Sequence, residues 1–251
     1  MKEYTTEFIR NIALVSHGSA GKTMLAEAFL HLSGAITRLG KIEDGTTASD
    51  YDEEEIRRKL SLYTSVLPVE YRDHKINLLD APGYTDFIGE MISALSVADG
   101  AVILVDSVGG VEVGTELAWR TADELGLPRF LVINRMDRDN ASFSRAFEVV
   151  EQFVHLAGGR VVQVQLPIGE KHDFKGVIDL ISMKAFMADG KTVADIPADM
   201  KAGADEALGH HRPEDPATLA VLEDRADAGD RAVDHDGDPV RGGPSPVPLD
   251  E

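Results

Sequence analysis

The stretch Ser16-His17-Gly18-Ser19-Ala20-Gly21-Lys22-Thr23 constrains this chain more than any other. An apolar run, Ile12 to Val15, leads into it and reads as a buried strand, and Met24 to Leu32 follows with the apolar spacing of a helix. Strand, glycine-containing loop and helix in that order are the context in which a loop holds phosphate. Inward-pointing backbone N–H groups and the positive end of the helix dipole cradle an anion there. His17, Gly18, Ser19, Ala20, Gly21, Lys22 and Thr23 are therefore the candidate phosphate loop, with Lys22 reaching the β- and γ-phosphates and the Thr23 hydroxyl holding Mg²⁺. The first position of the G-x-x-x-x-G-K-[ST] pattern is Ser16 rather than glycine. Taken by itself, G-K-T before a helix is also compatible with a plain turn.

The remainder of the chain supplies the partners. Strands are expected at Phe8 to Val15, Thr64 to Tyr71, His74 to Leu79, Ala101 to Val105 and Phe130 to Ile133, with Arg72-Asp73 as a hairpin turn. Helices are expected from Lys22 to about Leu32, Phe87 to Val97, Glu116 to Leu125 and Ser142 to Leu156. This alternation implies an α/β fold, a mostly parallel sheet with helices on both faces and one antiparallel hairpin. In such sheets, ligands bind beyond the carboxyl ends of the strands. Three segments end strands and so converge on one rim: the Ser16 loop, Asp80-Ala81-Pro82-Gly83, and Asn134-Arg135-Met136-Asp137.

Each segment carries a distinct chemistry. Asp80 can hold Mg²⁺ through water, and the Gly83 N–H can bond a γ-phosphate oxygen. Read alone, Asp-Ala-Pro-Gly is a common turn; its place at a strand end after the loop gives it the metal role. The Asp137 carboxylate can accept from the N1–H and amino group of guanine, a donor pair that adenine lacks, so Asp137 would select GTP over ATP. Asn134 can bond the base and tie back to the phosphate loop. Between Leu39 and Ser61 the apolar pattern breaks down into a long loop with an acidic run, Asp50 to Glu55, that reads as a solvated face. In nucleotide switches a hydroxyl from such a loop joins Mg²⁺; Ser61 and Thr64 stand at its end.

Composition excludes several classes. The formal net charge of −19 argues against a broad basic surface for sequence-specific nucleic-acid binding, and the absence of cysteine removes disulfides, thiol catalysis and thiolate metal sites. No apolar run approaches the roughly 18 residues of a membrane span, and the N-terminal residues lack the apolar core of a signal peptide; a cytoplasmic protein without membrane association is expected. His210, His211 and His235 have no metal-site spacing.

As an ordered set, these stretches resemble the GTPase domain of translational GTPases, closest to the elongation factor G type. The resemblance rests on Arg10-Asn11-Ile12, His17, Ala20-Gly21-Lys22-Thr23, Asp80-Ala81-Pro82-Gly83, Asp86-Phe87, Asp106, Gly109-Gly110-Val111-Glu112, Trp119-Arg120 and Asn134-Arg135-Met136-Asp137-Arg138. Gln165 to Gly169 and Phe174 to Leu180 look like the start of that factor's inserted subdomain. The resemblance implies a P-loop GTPase fold, with a GTP-binding domain at residues 5–158, a partial inserted β-containing subdomain at 159–205, and beyond it a tail, 206–251. It implies GTP and GDP as ligands, Mg²⁺ on Thr23, Ser61 and Asp80, catalytic roles for Lys22, Gly83 and Tyr84, a base pocket of Asn134, Arg135 and Asp137, and the ribosome as partner. Ser61 is chosen over Thr64 because Arg58-Lys59-Leu60-Ser61 aligns with the family's R-G-I-T and keeps its hydroxyl.

Departures from the family pattern matter too. Tyr84 stands where a histidine usually positions the attacking water, Ser19 replaces an aspartate, and Arg135 replaces a lysine. The tail is rich in Asp, Gly, Arg and Pro and without lysine or aromatic residues; it is expected to be disordered, apart from a short helix near Ala217 to Leu222. It reads as an aberrant continuation of a longer frame, with no S-A-containing base loop after Asp205. Three readings stay open: a GTP-hydrolysing domain, a non-catalytic guanine-nucleotide switch, and a truncated, non-functional fragment.

Overall fold

The computed structural model describes residues 2–209. They form two compact units, one running to Gly159 and including Glu170–His172, the other comprising Arg160–Gly169 and the chain from Asp173 onward. The expectations for the tail beyond Gly209, the helix near Ala217 included, fall outside the described residues.

In the first unit a five-stranded sheet is built from β1 (Ile9–Ser16), β2 (Ser65–Tyr71), β3 (His74–Asp80), β4 (Gly100–Asp106) and β5 (Arg129–Asn134). Its order is β2-β3-β1-β4-β5, with only β2 antiparallel to its neighbour. The helices are α1 (Lys22–Leu32), α2 (Glu53–Arg58), α3 (Ile88–Ser96), α4 (Val113–Glu124) and α5 (Phe143–Leu156). The continuous apolar run of β1 is explained by burial on both faces. Ala13 and Val15 pack with Met91, Ala94 and Leu95 of α3 and with Ala118 and Ala122 of α4. Leu14, on the opposite face, packs with Ala26 and Leu30 of α1 and with Leu67 and Val69 of β2. The two-residue turn of the β2–β3 hairpin takes Arg72 and Asp73 through positive φ, 44° and 61°, as a primed turn requires.

The 39–61 segment differs from its expected loop character. Its acidic run folds as α2: the Asp52 carboxylate accepts from the Glu54 N–H, and the Glu55 carboxylate reaches back to the Asp52 N–H. This is a capping box. Glu55 is buried, and its other oxygen accepts from the N–H groups of Leu62 and Tyr63. The run is thus partly a structural anchor rather than a wholly solvated face.

The second unit carries an antiparallel sheet of β6 (Gln165–Ile168), β7 (Gly176–Asp179), β8 (Lys184–Met187) and β9 (Val193–Ala194), followed by α6 (Lys201–Gly209). β7 and β8 are separated by a turn, which the Asp179 carboxylate closes by accepting from both the N–H and the hydroxyl of Ser182. Ile168, Ile178, Leu180, Ala185, Ala204 and Ala207 form its core, which keeps α6 helical four residues past Asp205.

Candidate nucleotide-binding site

β1 ends at Ser16, and α1 begins at Lys22. The loop between them turns through two left-handed residues, Ser19 at φ 64° and Gly21 at φ 98°. Gly21 is required twice over, since a Cβ there would stand 2.5 Å from Asn134 Nδ2. That same amide donates to the Ala20 carbonyl at 2.9 Å, so the end of β5 is tied to the phosphate loop as the sequence suggests. Lys22 is buried; its ammonium donates to Ser16 Oγ at 3.0 Å and to the His17 carbonyl at 3.4 Å. Ser16 therefore anchors the lysine from the position where the pattern has glycine. His17 Nδ1 accepts from the Gly114 N–H at 3.3 Å, which fastens the loop to the first turn of α4.

Gly83 meets the loop from the far side: a Cβ on it would lie 2.4 Å from Lys22 Nζ and 2.8 Å from the Gly18 nitrogen. Only a glycine lets this backbone come so close to the phosphate loop. The Tyr84 ring lies over Gly18, with ring atoms 3.0 to 3.2 Å from where a Gly18 Cβ would stand. Tyr84 is 42% exposed.

The expected metal trio is brought together. Thr23 Oγ1 donates to Asp80 Oδ2 at 2.8 Å and stands 3.3 Å from Ser61 Oγ. Thr64 is turned away, its N–H and hydroxyl both donating to Glu90. A fourth oxygen group joins that sequence reading did not assign to the site: Asp50, buried, accepts from Ser61 Oγ at 2.7 Å. Asp80 Oδ1 and Ser49 Oγ are buried and make no hydrogen bond of good geometry, although the Ser49 hydroxyl lies near enough to Asp80 and Asp50 to steady both carboxylates. A buried carboxylate oxygen without a full hydrogen bond, beside three hydroxyls and a second carboxylate, is a hard-oxygen donor set that fits Mg²⁺. Among the described residues no group of three or more His, Asp or Glu side chains gathers into a cage. The set therefore suits a cation whose shell is completed by phosphate and water.

The charges at the centre oppose their own burial. Desolvation lowers the Lys22 ammonium to about 8, against the pull of Asp80 and Asp50. Desolvation raises the Asp80 carboxyl to about 6, against Lys22 and the Thr23 hydrogen bond. Asp50 is raised by burial, with the Ser61 hydrogen bond opposing. A carboxyl raised in the folded state binds an extra proton between its unfolded pKa, near 4, and its folded value, about 6. Folded stability of the metal-free, nucleotide-free chain should therefore fall as pH rises through that window. Comparing the melting temperature of Asp80→Asn with that of the parent from pH 4 to 7 isolates the effect. The difference, parent minus variant, should shrink with rising pH, and a flat difference would refute the assignment.

At the end of β5, Met136 is buried and Asp137 exposed, with Arg135 at φ 62°. Arg135 ion-pairs with Asp106 at 3.2 Å, and Arg138 does so at 3.5 Å. Burial alone would raise Asp106, but the N–H groups of Val108 and Gly109 and the Arg135 guanidinium outweigh it and hold the carboxyl below its usual range. The Arg135 side chain also runs beside the loop, its Nε 3.8 Å from the point a Gly21 Cβ would occupy.

Residues 7–213 match the family described as elongation factor Tu GTP binding domain. The chain is 38% identical over 190 residues to elongation factor G of Granulibacter bethesdensis, covering 76% of this chain and 27% of that protein. It is 39% identical over 203 residues to elongation factor G of Wolbachia pipientis subsp. Culex pipiens, covering 78% and 29%. A crystal structure of a Thermus thermophilus protein superposes with a TM-score of 0.75 at 33% identity, over 92% of this chain and 34% of that one. The chain thus spans less than a third of the length of these curated relatives.

Proposed function

The chain belongs to the family of the elongation factor Tu GTP binding domain, and from that membership we propose that it binds GTP and GDP with Mg²⁺ and hydrolyses GTP as the G domain of an elongation-factor-G-like translation factor at the ribosome. The observation that carries the reading is the meeting of Thr23, Asp80 and Ser61, with the buried Lys22 ammonium drawn by Asp80, beside an Asp80 oxygen that makes no full hydrogen bond. The loop N–H groups and Lys22 hold the β- and γ-phosphates, and Gly83 donates its N–H to a γ-oxygen. Thr23, Ser61 and Asp80 hold the metal, with Asp50 beside them; the cation, when bound, neutralises charge on the phosphates. Water attacks the γ-phosphorus in line as the bond to the β–γ bridging oxygen breaks, giving GDP and inorganic phosphate. Tyr84 orients that water. Lys22 stabilises the charge that develops on the transferred group and the leaving oxygen.

Asn134, Arg135 and Asp137 form the base pocket, with Asp137 accepting from the guanine N1–H and amino group. Replacing Asp137 with alanine removes two charge-assisted hydrogen bonds and should reduce the preference for GTP over ATP by about 3 kcal/mol, roughly 100-fold. Competition of labelled GTP by ATP reads this directly; an unchanged preference rejects the role.

No helix among the described residues is long and apolar enough to cross a membrane, and the proposed setting is the cytoplasm. Contact with the ribosome would run through its protein parts or a local patch, since the net charge is −19. The test is affinity of the purified chain for GTP, GDP and ATP with and without Mg²⁺, followed by turnover with and without ribosomes. Tyr84 in place of histidine favours one second reading, a guanine-nucleotide switch that binds without turnover; binding with no ribosome-stimulated phosphate release would select it.

A further inference from the structure

Glu27 is 1% exposed and lies in the apolar stripe of α1, between Thr23 and Leu30. A carboxylate buried there is costly unless both oxygens find donors. One oxygen accepts from the Gly40 N–H at 2.8 Å, the other from the Ala48 N–H. The seven-residue excursion between those donors closes on itself: the Lys41 N–H donates to Thr46 Oγ1, and the Thr46 N–H donates to the Lys41 carbonyl. Glu27 thus clasps the neck of a closed loop to the helix that begins with Lys22 and Thr23.

The metal-binding groups come directly after this neck in the chain. Ser49 is fixed by its carbonyl, which accepts from Ser65 Oγ at 2.7 Å. Asp50 comes next and holds Ser61, which stands beside Thr23. Since Thr23 and Glu27 are one helical turn apart on one face, one rigid helix presents a metal-binding hydroxyl and sets the position of the loop that must meet it. We propose that Glu27 is a positioning residue of the Mg²⁺·GTP site: its carboxylate fixes the 40–48 loop so that Asp50 and Ser61 are delivered to Thr23. The inference rests on the nucleotide reading above.

The test uses the full chain and two variants. In Glu27→Gln the side-chain amide sets its own N–H groups against one of the two backbone donors, so one clasp is lost while size is kept. Ala48→Pro deletes the other partner's N–H from an exposed residue without touching α1. Both should raise the Mg²⁺ concentration at half-maximal GTP binding about tenfold while Mg²⁺-free GDP affinity stays within about twofold, the worth of one charge-assisted hydrogen bond. Both should also speed tryptic cleavage after Lys41 in the nucleotide-free chain. A Mg²⁺ midpoint unchanged in both variants overturns the proposal. So does an equal loss of GTP and GDP binding with a lowered melting temperature, which marks a merely structural residue. Failure of the nucleotide reading would show in the parent chain, as absent Mg²⁺-dependent GTP binding, whereas failure of this inference alone shows only in the variants.

Discussion

Replacing Lys22 with alanine is expected to lower GTP affinity by about 3 kcal/mol, roughly 100-fold, the worth of one or two charge-assisted hydrogen bonds to phosphate. The ammonium is already desolvated, with neutral oxygens of Ser16 and His17 as hydrogen-bond acceptors. A buried cation whose hydrogen-bond acceptors are neutral, and whose burial outweighs the pull of the Asp80 and Asp50 carboxylates, has much to gain from a polyphosphate. Its lowered value of about 8 expresses the same imbalance. Because nucleotide favours the charged form, binding takes up a proton once the free site has lost it. Affinity should therefore fall as pH rises above 8 in the parent and be flat there in Lys22→Ala. Titration calorimetry at pH 7 to 9.5 measures both effects. Affinity of the variant within threefold of the parent's would remove Lys22 from the phosphate site.

Much of this arrangement is legible in the sequence because it depends on local rules. The apolar run before Ser16 and the helical spacing after Thr23 define β1 and α1, and the ends of β3 and β5 bring Asp80 and Asn134 to the same rim. Parallel sheets impose that convergence, so it needs no tertiary knowledge. Asp50 and Glu27 are not legible in the same way. Acidic residues in a polar loop or an amphipathic helix read as solvated, and their burial follows from how the loop folds back on α1. Two signals are present nonetheless. Asp52-x-x-Glu55 is a capping box, which announces a helix inside the expected loop. Thr23, Ala26, Glu27 and Leu30 share one helical face, which puts Glu27 on the buried side before any contact is known. The tie from Ser16 Oγ to Lys22 is invisible for a different reason: the glycine expected there has no side chain, so the pattern carries no cue that a hydroxyl could serve.

Tyr84→Phe is expected to lower ribosome-stimulated GTP turnover about tenfold, near 1.4 kcal/mol, with nucleotide affinity unchanged. Phenylalanine keeps the ring that lies over Gly18, so packing of the 82–84 segment on the phosphate loop is preserved and the hydroxyl alone is tested. A tyrosine hydroxyl can hold water by a hydrogen bond, but it is a weak base at neutral pH. Its contribution should therefore be that of one orienting bond, well below the roughly 100- to 10,000-fold of a positioned general base. Tyr84→His supplies a base at the same place, one that titrates near neutral pH. It should raise turnover above the parent and add a rise in rate with pH between about 6 and 7 that the parent lacks. GTP cleavage in acid-quenched single-turnover reactions separates the chemical step from product release. Equal rates for the parent and Tyr84→Phe would take the hydroxyl out of the reaction and leave the ring as a cover over Gly18.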